Sequence, residues 1–412
     1  MILRMTYALI ILLMAACESA PSGIDDEARS ILSQPVEGEP LELRKAAEEA
    51  GFYWGAMGFG YDLTDPNYGQ EFREALAKNF SIFSPALELT FPFVQPERGV
   101  YSFEAVDALA DFARANGQKM RGIVVIWRED LSAYLGESPT REEGIALLRE
   151  HIHTVMGHYR EFYPDVFEQW DVVNEAFRSD GTLRASDWQK AIGDDFVELA
   201  FRFAHEAWPE AELYYNDFYE PVFNLGGNFI NAFGQIDPDA IRPLAPLGPI
   251  GPLASCEQSA KCMGVKKMAE DFVARGVPIH GIGFQGHIAN VIAPDYGSFA
   301  SWVEELGLRW AVTELDVPCA RSATYPVGGE IVTFLNGAIC FENQRRIFHD
   351  IVKDCVDSAA CDTVVQWGVA DPFSWWQGLS SGALGEALAL DDNYEYKPAA
   401  HGVVEALRGG VR

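Results

Sequence analysis

VFEQWDVVNEAF, at residues 166–177, and LRWAVTELDV, at residues 308–317, carry the apolar and polar residues of two β-strands. The first strand closes on Glu175 and the second on Glu314. Because α/β barrels place their chemistry at the carboxyl ends of their strands, these two acids are candidates for one site. We therefore predict that two glutamates far apart along the chain face each other across the mouth of a barrel.

Glycoside hydrolysis with retention is the chemistry that two facing carboxyls suit best. One carboxyl protonates the leaving oxygen while the other attacks the sugar carbon. The acid needs a pKa raised by burial or by the neighbouring carboxylate, and the nucleophile must stay ionised. The alternative is a pair of ordinary solvated glutamates at strand ends, and their occurrence on two similar strands argues against it.

Predicted strands and helices alternate along the chain. The strands lie within 75–91 and at 52–60, 119–127, 166–174, 211–218, 278–287, 308–317 and 361–371. Helical spacing of apolar residues is found at 103–117, 141–160, 186–207, 266–276 and 399–408. Residues 219–262, rich in Gly and Pro, form a long loop of the kind that is usually functional. This order predicts an α/β fold, a single-domain (β/α)8 TIM barrel with an extended loop after strand 5.

Composition bounds the class of partner. The chain has 412 residues, 48% of them hydrophobic, which is enough for one large core. Its formal net charge of −30 excludes nucleic acid, because binding a phosphate backbone needs clustered Lys and Arg. We expect a monomer that acts on a neutral polysaccharide or oligosaccharide.

The N-terminal sequence MILRMTYALIILLMAAC has the basic start and apolar run of an export signal. Its end resembles a lipobox, in which Cys17 becomes the lipidated N-terminus; the alternative is a plain cleaved signal. We expect a lipoprotein-type signal peptide at 1–17, a flexible tether at 18–40 and the catalytic domain at 41–412. The protein is thus expected to be an exported outer-membrane lipoprotein of a Gram-negative bacterium, periplasmic or at the cell surface, with its lipid as the only membrane contact.

Six further cysteines predict disulfides, since an even number is typical of an exported protein. Spacing favours two short loops, Cys256–Cys262 and Cys355–Cys361, which leaves Cys319 to pair with Cys340. A zinc site is the alternative, and the lack of a His at ligand spacing disfavours it.

Residues 45–408 resemble glycoside hydrolase family 10, the family of endo-β-1,4-xylanases. WDVVNEA is similar to the acid/base motif of that family, and TELD to its nucleophile motif. GFQGH at 283–287 and WGVADPFSW at 367–375 match two further site segments, and YYNDF and the ending ALDDNYEYKPAAHGVVEAL also fit. Cys355 and Cys361 match a disulfide of some members.

The resemblance implies a role for each matching residue and requires no metal or organic cofactor. Glu175 is the implied acid/base and Glu314 the nucleophile. The implied substrate-binding residues are Asn174, Trp127, Gln285, His287, Trp367, Trp375 and Arg128, with Asp316 supporting His287. The histidines at 151 and 153 are expected to be exposed helix residues.

The sequence departs from the family pattern in two places. The Glu, Asn and Lys that hold the next sugar in typical members are absent from PALELTF at 85–91. Ile123 and Arg128 replace two histidines of the third strand segment. Ile123 would suit a sugar that lacks a hydroxyl or bears a methyl, and Arg128 could pair with a carboxylate or sulfate.

We therefore predict a retaining glycoside hydrolase that cleaves β-1,4-linked xylan or a related decorated β-glycan. Two alternatives stay open: the same mechanism on a non-xylan β-glycan, and a surface glycan-binding lipoprotein with little or no turnover. The sequence leaves the choice between endo and exo cleavage open.

Overall fold

Eight parallel strands close into a barrel in the computed structural model, which describes residues 26–127, 131–136, 138–219, 255–288, 295–320, 324–327, 330–333, 337–379 and 384–410. The barrel strands are β1 (Tyr53–Gly58), β2 (Ile82–Pro85), β3 (Lys119–Gly122), β4 (Phe167–Asn174), β5 (Glu212–Asp217), β6 (Gly281–Phe284), β7 (Arg309–Leu315) and β10 (Cys361–Gln366). Neighbours follow chain order, β10 pairs with β7, and β10 closes the ring on β1. The predicted (β/α)8 TIM barrel is confirmed.

Helices surround the barrel and connect its strands. In chain order they are α1 (Asp26–Leu32), α2 (Glu42–Glu49), α3 (Gly69–Asn79), α4 (Phe91–Val94), α5 (Glu104–Ala115), α6 (Ser132–Leu135), α7 (Arg141–Phe162), α8 (Asp187–Ile192), α9 (Phe196–Ala207), α10 (Ala260–Arg275), α11 (Tyr296–Phe299), α12 (Ser301–Glu305), α13 (Gly337–Asp357), α14 (Trp375–Leu379) and α15 (Pro398–Gly409). No helix within the described ranges is both long and apolar enough to cross a membrane.

Local sequence explains why these elements begin and end where they do. At the start of α7, Thr140 and Glu143 form a capping box in which each side chain accepts a hydrogen bond from the other residue's backbone N–H. The strands are buried on both faces, as expected for a parallel sheet covered by helices. Inside the barrel, Arg121 is fully buried, donates to both carboxylate oxygens of Asp171 and lies over the ring of Tyr214.

Several boundaries differ from those predicted. The third strand ends at Gly122, although residues 125–126 still hydrogen-bond to β4. The helix predicted at 186–207 is two helices, α8 and α9, because Gly193 between them has a φ of 112° that a helix does not allow. An antiparallel hairpin, β8 (Thr324–Val327) and β9 (Glu330–Thr333), was not predicted.

Part of the predicted tether packs against the barrel. Within 18–40, residues Asp26–Leu32 form α1, Leu32 is fully buried, and Arg29 pairs with Asp107 and Asp111 of α5. Residues 26–32, within the segment predicted to be a flexible tether, are therefore helical and packed.

His151 is buried, contrary to expectation. It shares the inward stripe of α7 with Leu147, Leu148 and Val155, and its Nε2 donates to the carbonyl of Val125 at 3.2 Å. Burial lowers the pKa of His151 to about 3, so the ring is neutral. The position of His151 on the inward face of the helix, and not its residue type, accounts for this burial.

All three predicted disulfides are present, and the zinc alternative is wrong. Cys256–Cys262, Cys319–Cys340 and Cys355–Cys361 are bonded, with Cα–Cα distances of 5.3, 5.8 and 5.0 Å. Three other expectations lie outside the described residues: the signal peptide with Cys17, the position of Arg128, and most of the long loop at 219–262.

Candidate active site

Glu175 and Glu314 lie at the same end of the barrel. Glu175 directly follows the last residue of β4, and Glu314 is the penultimate residue of β7. Both are buried, each with 5% of its surface exposed. The polar side chains that connect the two acids come from the end of β4, from β5 and from the residue that follows β6.

A chain of hydrogen bonds joins the two carboxyls. Gln285 Nε2 donates to Glu175 Oε1 at 3.1 Å and to Asn174 Oδ1 at 3.3 Å. Asn216 Nδ2 donates to Asn174 Oδ1 at 3.0 Å and to Glu314 Oε1 at 2.9 Å. The predicted residues Glu175, Asn174, Gln285 and Glu314 therefore belong to one buried network.

His287 connects Glu314 to a second acid. Its Nε2 is 3.1 Å from Glu314 Oε2, and its Nδ1 is 2.9 Å from Asp316 Oδ2. Trp375 Nε1 also donates to Asp316 Oδ2, at 2.6 Å. The ring of Trp375 lies 5.0 Å from that of His287 and the ring of Trp367 lies 6.4 Å from it, so both predicted tryptophans lie beside the histidine that contacts Glu314. Both are partly exposed, which excludes a purely core role.

Electrostatics favour a charged His287. Burial alone would lower its pKa, but the charges and hydrogen bonds of Asp316 and Glu314 raise it well above the usual value. Burial raises the pKa of Glu314 and the charge of Glu175 adds to the rise, while His287 and Asn216 oppose it. An imidazolium at His287 thus favours the ionised form of Glu314, while burial leaves the pKa of Glu314 above its ordinary value.

Glu175 has an unusual backbone conformation, with a φ of 54°. Few residues other than Gly adopt this left-handed region, and such strain is frequent at active sites. The neighbouring strand holds it: Glu175 N donates to the carbonyl of Asn216 at 3.0 Å, and Ala176 N donates to the hydroxyl of Tyr215 at 3.0 Å. The two acids can deliver a proton to one side of a bound group and a carboxylate to the other. Within the described residues there is no cluster of three or more potential metal ligands.

Comparison with known families agrees with this geometry. A sequence profile of glycosyl hydrolase family 10 matches residues 42–223 and 254–406. The chain belongs to glycosyl hydrolase family 10.

The xylanases that are similar to this chain cover most of its length. Endo-1,4-beta-xylanase B of Thermotoga neapolitana is 29% identical over 373 residues, which is 90% of this chain and 92% of that protein. Endo-1,4-beta-xylanase A of Humicola insolens is 32% identical over 325 residues, 78% of this chain and 72% of that protein. The crystal structure of xylanase 10B from Thermotoga maritima superposes with a TM-score of 0.71 at 30% identity, covering 90% of this chain and 98% of that one.

Sequence reasoning missed Asn216, which completes the link between the two acids of this family 10 site. Asn216 bonds to both sides of the network, and Thr313 Oγ1 contacts its Oδ1 at 2.7 Å, which orients the amide. A Cβ on Gly283 would lie 2.3 Å from Asn216 Oδ1, so only glycine leaves room for this side chain. The available signal was the position of Asn216 at the end of YYND, a third polar strand end.

Trp127 is the last predicted substrate-binding residue within the described ranges. It follows β3 and is partly exposed. The backbone carbonyl of Ile126 accepts from Asn174 N at 2.9 Å, which brings the backbone next to Trp127 close to the end of β4.

A buried ion pair lies behind Glu175. Lys261 Nζ donates to Asp217 Oδ1 at 2.9 Å, and the hydroxyl of Tyr215 donates to Asp217 Oδ2 at 2.6 Å. Burial raises the pKa of Asp217, as does the charge of Glu175, while Lys261 lowers it. The same tyrosine hydroxyl accepts from Ala176 N, so the ion pair is connected to the strained backbone of Glu175.

We expect Lys261→Met to lower the free energy of unfolding by about 3–5 kcal/mol, because it leaves Asp217 buried without its counter-charge. The double variant Lys261→Met, Asp217→Leu should recover part of this loss. Lys190 is the matched control, because it pairs with Asp187 at the same 2.9 Å but is 62% exposed. Lys190→Met should cost less than about 1 kcal/mol in urea unfolding. Equal losses for the two single variants would contradict the role given to burial.

Proposed function

We propose that the protein is a retaining glycoside hydrolase that cleaves β-1,4-linked xylan or a related decorated β-glycan. The observation that carries this proposal is the continuous network from Glu175 through Gln285, Asn174 and Asn216 to Glu314. The names of the relatives, endo-1,4-beta-xylanases, support xylan as the substrate class.

In the first step, Glu175 gives its proton to the glycosidic oxygen while Glu314 Oε attacks the anomeric carbon. The bond from that carbon to the leaving oxygen breaks, and a covalent glycosyl–enzyme ester forms. His287, whose pKa its two carboxylate neighbours raise, favours the ionised form of Glu314 before the attack. In the second step Glu175, now a carboxylate, takes a proton from water, and the water oxygen displaces Glu314 with overall retention.

The surrounding side chains bind the sugars. Asn174 offers its amide to the hydroxyl next to the anomeric carbon, and Gln285 holds Glu175 in position. Trp367, Trp375 and Trp127 supply aromatic faces against the apolar C–H groups of the rings. No cofactor is required by any step of this mechanism.

We further propose that the preferred xylan is substituted. Ile123 is 2% exposed and Ala86 is 4% exposed, and neither can hydrogen-bond a hydroxyl where typical family members carry polar groups. An apolar site disfavours an unsubstituted hydroxyl, since the sugar loses a hydrogen bond to water without gaining another. We expect a higher kcat/KM on substituted than on unsubstituted xylan of equal length; ordinary xylanase rates on the unsubstituted polymer would contradict this.

The N-terminal sequence supports export and a lipid anchor at Cys17. The test is incorporation of labelled palmitate in a bacterial host, which Cys17→Ala should abolish if Cys17 is the acylated residue.

Variants of the two glutamates test the mechanism. We expect Glu314→Ala to abolish hydrolysis of both xylo-oligosaccharides and aryl β-xylosides, because no nucleophile remains. Glu175→Ala should slow xylo-oligosaccharide cleavage by about 10²–10⁴-fold and affect a nitrophenyl leaving group much less, since that group departs without protonation. Wild-type enzyme should release the β-anomer first, as followed by NMR.

The glycan-binding alternative makes the opposite forecast for the same measurements. If wild type and Glu314→Ala show the same background rate on aryl β-xylosides and β-cellobiosides, the protein binds glycans without turnover. First release of the α-anomer would rule out retention. Circular dichroism of each variant controls for folding.

Replacement of His287 tests the charge relation at the nucleophile. Because His287 lowers the pKa of Glu314, His287→Asn should raise that pKa and move the acidic limb of kcat/KM to higher pH. His205→Asn, on an exposed position of α9, is the control and should leave the limb in place. A shift of the His287→Asn limb to lower pH, or none, would show that the imidazolium does not keep Glu314 ionised.

A further inference from the structure

Two stacked and partly exposed aromatic side chains lie on the rim of the barrel. Phe59 and Tyr61 directly follow β1, their ring centroids are 4.9 Å apart, and their planes meet at 25°. Tyr61 is 52% exposed and Phe59 is partly exposed. We call Phe59 and Tyr61 the rim pair.

The turn that carries the rim pair is held in one shape. Gly60 N, between the two aromatic residues, donates to Glu88 Oε1 at 2.6 Å, and Ala86 N donates to Glu88 Oε2 at 3.1 Å. Asp62 N donates to the carbonyl of Phe59 at 3.1 Å. A Cβ on Gly60 would lie 3.0 Å from the carbonyl oxygen of Ala105, so the turn packs closely on its neighbours.

Holding this turn has a cost in stability. Asp62 is 3% exposed, and its Oδ1 accepts a hydrogen bond from the hydroxyl of Tyr68 at 2.9 Å. Burial raises the pKa of Glu88 to about 7 and that of Asp62 to about 6. One carboxyl, Asp62, is thus buried at a surface turn and a second, Glu88, is partly buried, which is unfavourable by itself. The turn that they fix leaves Tyr61 52% exposed.

The rim pair belongs to the same face as the proposed catalytic residues. It lies at the carboxyl end of β1, and β1 pairs with β10, whose end leads into Trp367. The segments behind the two features also pack together, because the ring of Tyr68 lies 5.4 Å from that of Phe373, two residues before Trp375. The rim pair and the tryptophans are therefore on adjoining parts of one rim.

We propose that the rim pair is a further sugar-binding subsite, which stacks a ring of the polysaccharide chain beyond the sugars that flank the cleaved bond. This inference rests on the proposed function. Exposed aromatic rings match the apolar C–H faces of pyranose rings, and a neutral glycan brings no charge into a protein with a net charge of −30. A rigid platform also avoids the entropy of ordering a loop when the chain binds.

The test compares long and short substrates with the variant Tyr61→Ala. We expect the ratio of kcat/KM on xylohexaose to kcat/KM on nitrophenyl β-xylobioside to fall about tenfold, the size of one aromatic ring contact. Tyr61→Trp should keep the wild-type ratio, because stacking needs only a ring face. Phe162→Ala is the matched control, since Phe162 is a similarly exposed aromatic residue, 54%, at the end of α7 on the outside of the barrel.

A binding measurement separates this inference from the proposed function. In a Glu314→Ala background, calorimetry should give about tenfold weaker binding of xylohexaose when Tyr61→Ala is added. An unchanged affinity and an unchanged length ratio would overturn the subsite. So would equal losses on both substrates, which would mark Tyr61 as structural. Absence of turnover in wild type, with the affinity difference intact, would reject the proposed hydrolase and leave the subsite standing.

Discussion

The amide of Asn216 is the contact on which the geometry of the site depends. Its two N–H groups reach the side-chain oxygen of Asn174 and the carboxyl of Glu314, and so connect β4 to β7 through β5. Thr313 fixes the amide by contacting its oxygen, and Gly283 leaves the space that it fills. Asn216 uses both its N–H groups and its oxygen, so turning its amide over would leave buried polar groups without a partner.

Burial gives the two acids different surroundings. Glu314 faces His287 and, through it, Asp316, so positive charge between two carboxylates favours its ionised form. Glu175 instead contacts the neutral amide of Gln285, and the charges behind it, Asp217 and Lys261, are paired with each other. This asymmetry is what a pair of carboxyls needs if one is to hold a proton and the other is to attack.

Much of the fold could be predicted because each buried strand and each amphipathic helix has a recognisable pattern of apolar residues. Buried parallel strands read as apolar runs, their carboxyl ends carry polar residues, and eight such runs imply closure. The misses have local causes: Gly193 ends a helix that periodicity would continue, and His151 lies on an inward stripe that its chemical type does not reveal. In the site, strand ends and motifs revealed Glu175, Glu314, Gln285 and His287. They did not reveal Lys261, because it lies in the first turn of α10, far along the chain from any strand.

The sequence by itself determined the barrel, the three disulfide pairs and the two strand-end glutamates, since each depends on periodicity, spacing or a motif that is readable along the chain. Only the tertiary structure decided which side chains connect those glutamates, how Glu175 reaches its left-handed backbone, and where the aromatic rings remain exposed. The physical reason is that hydrogen bonds, burial and pKa shifts are set by contacts between strands and loops distant in sequence, and no local pattern encodes those contacts.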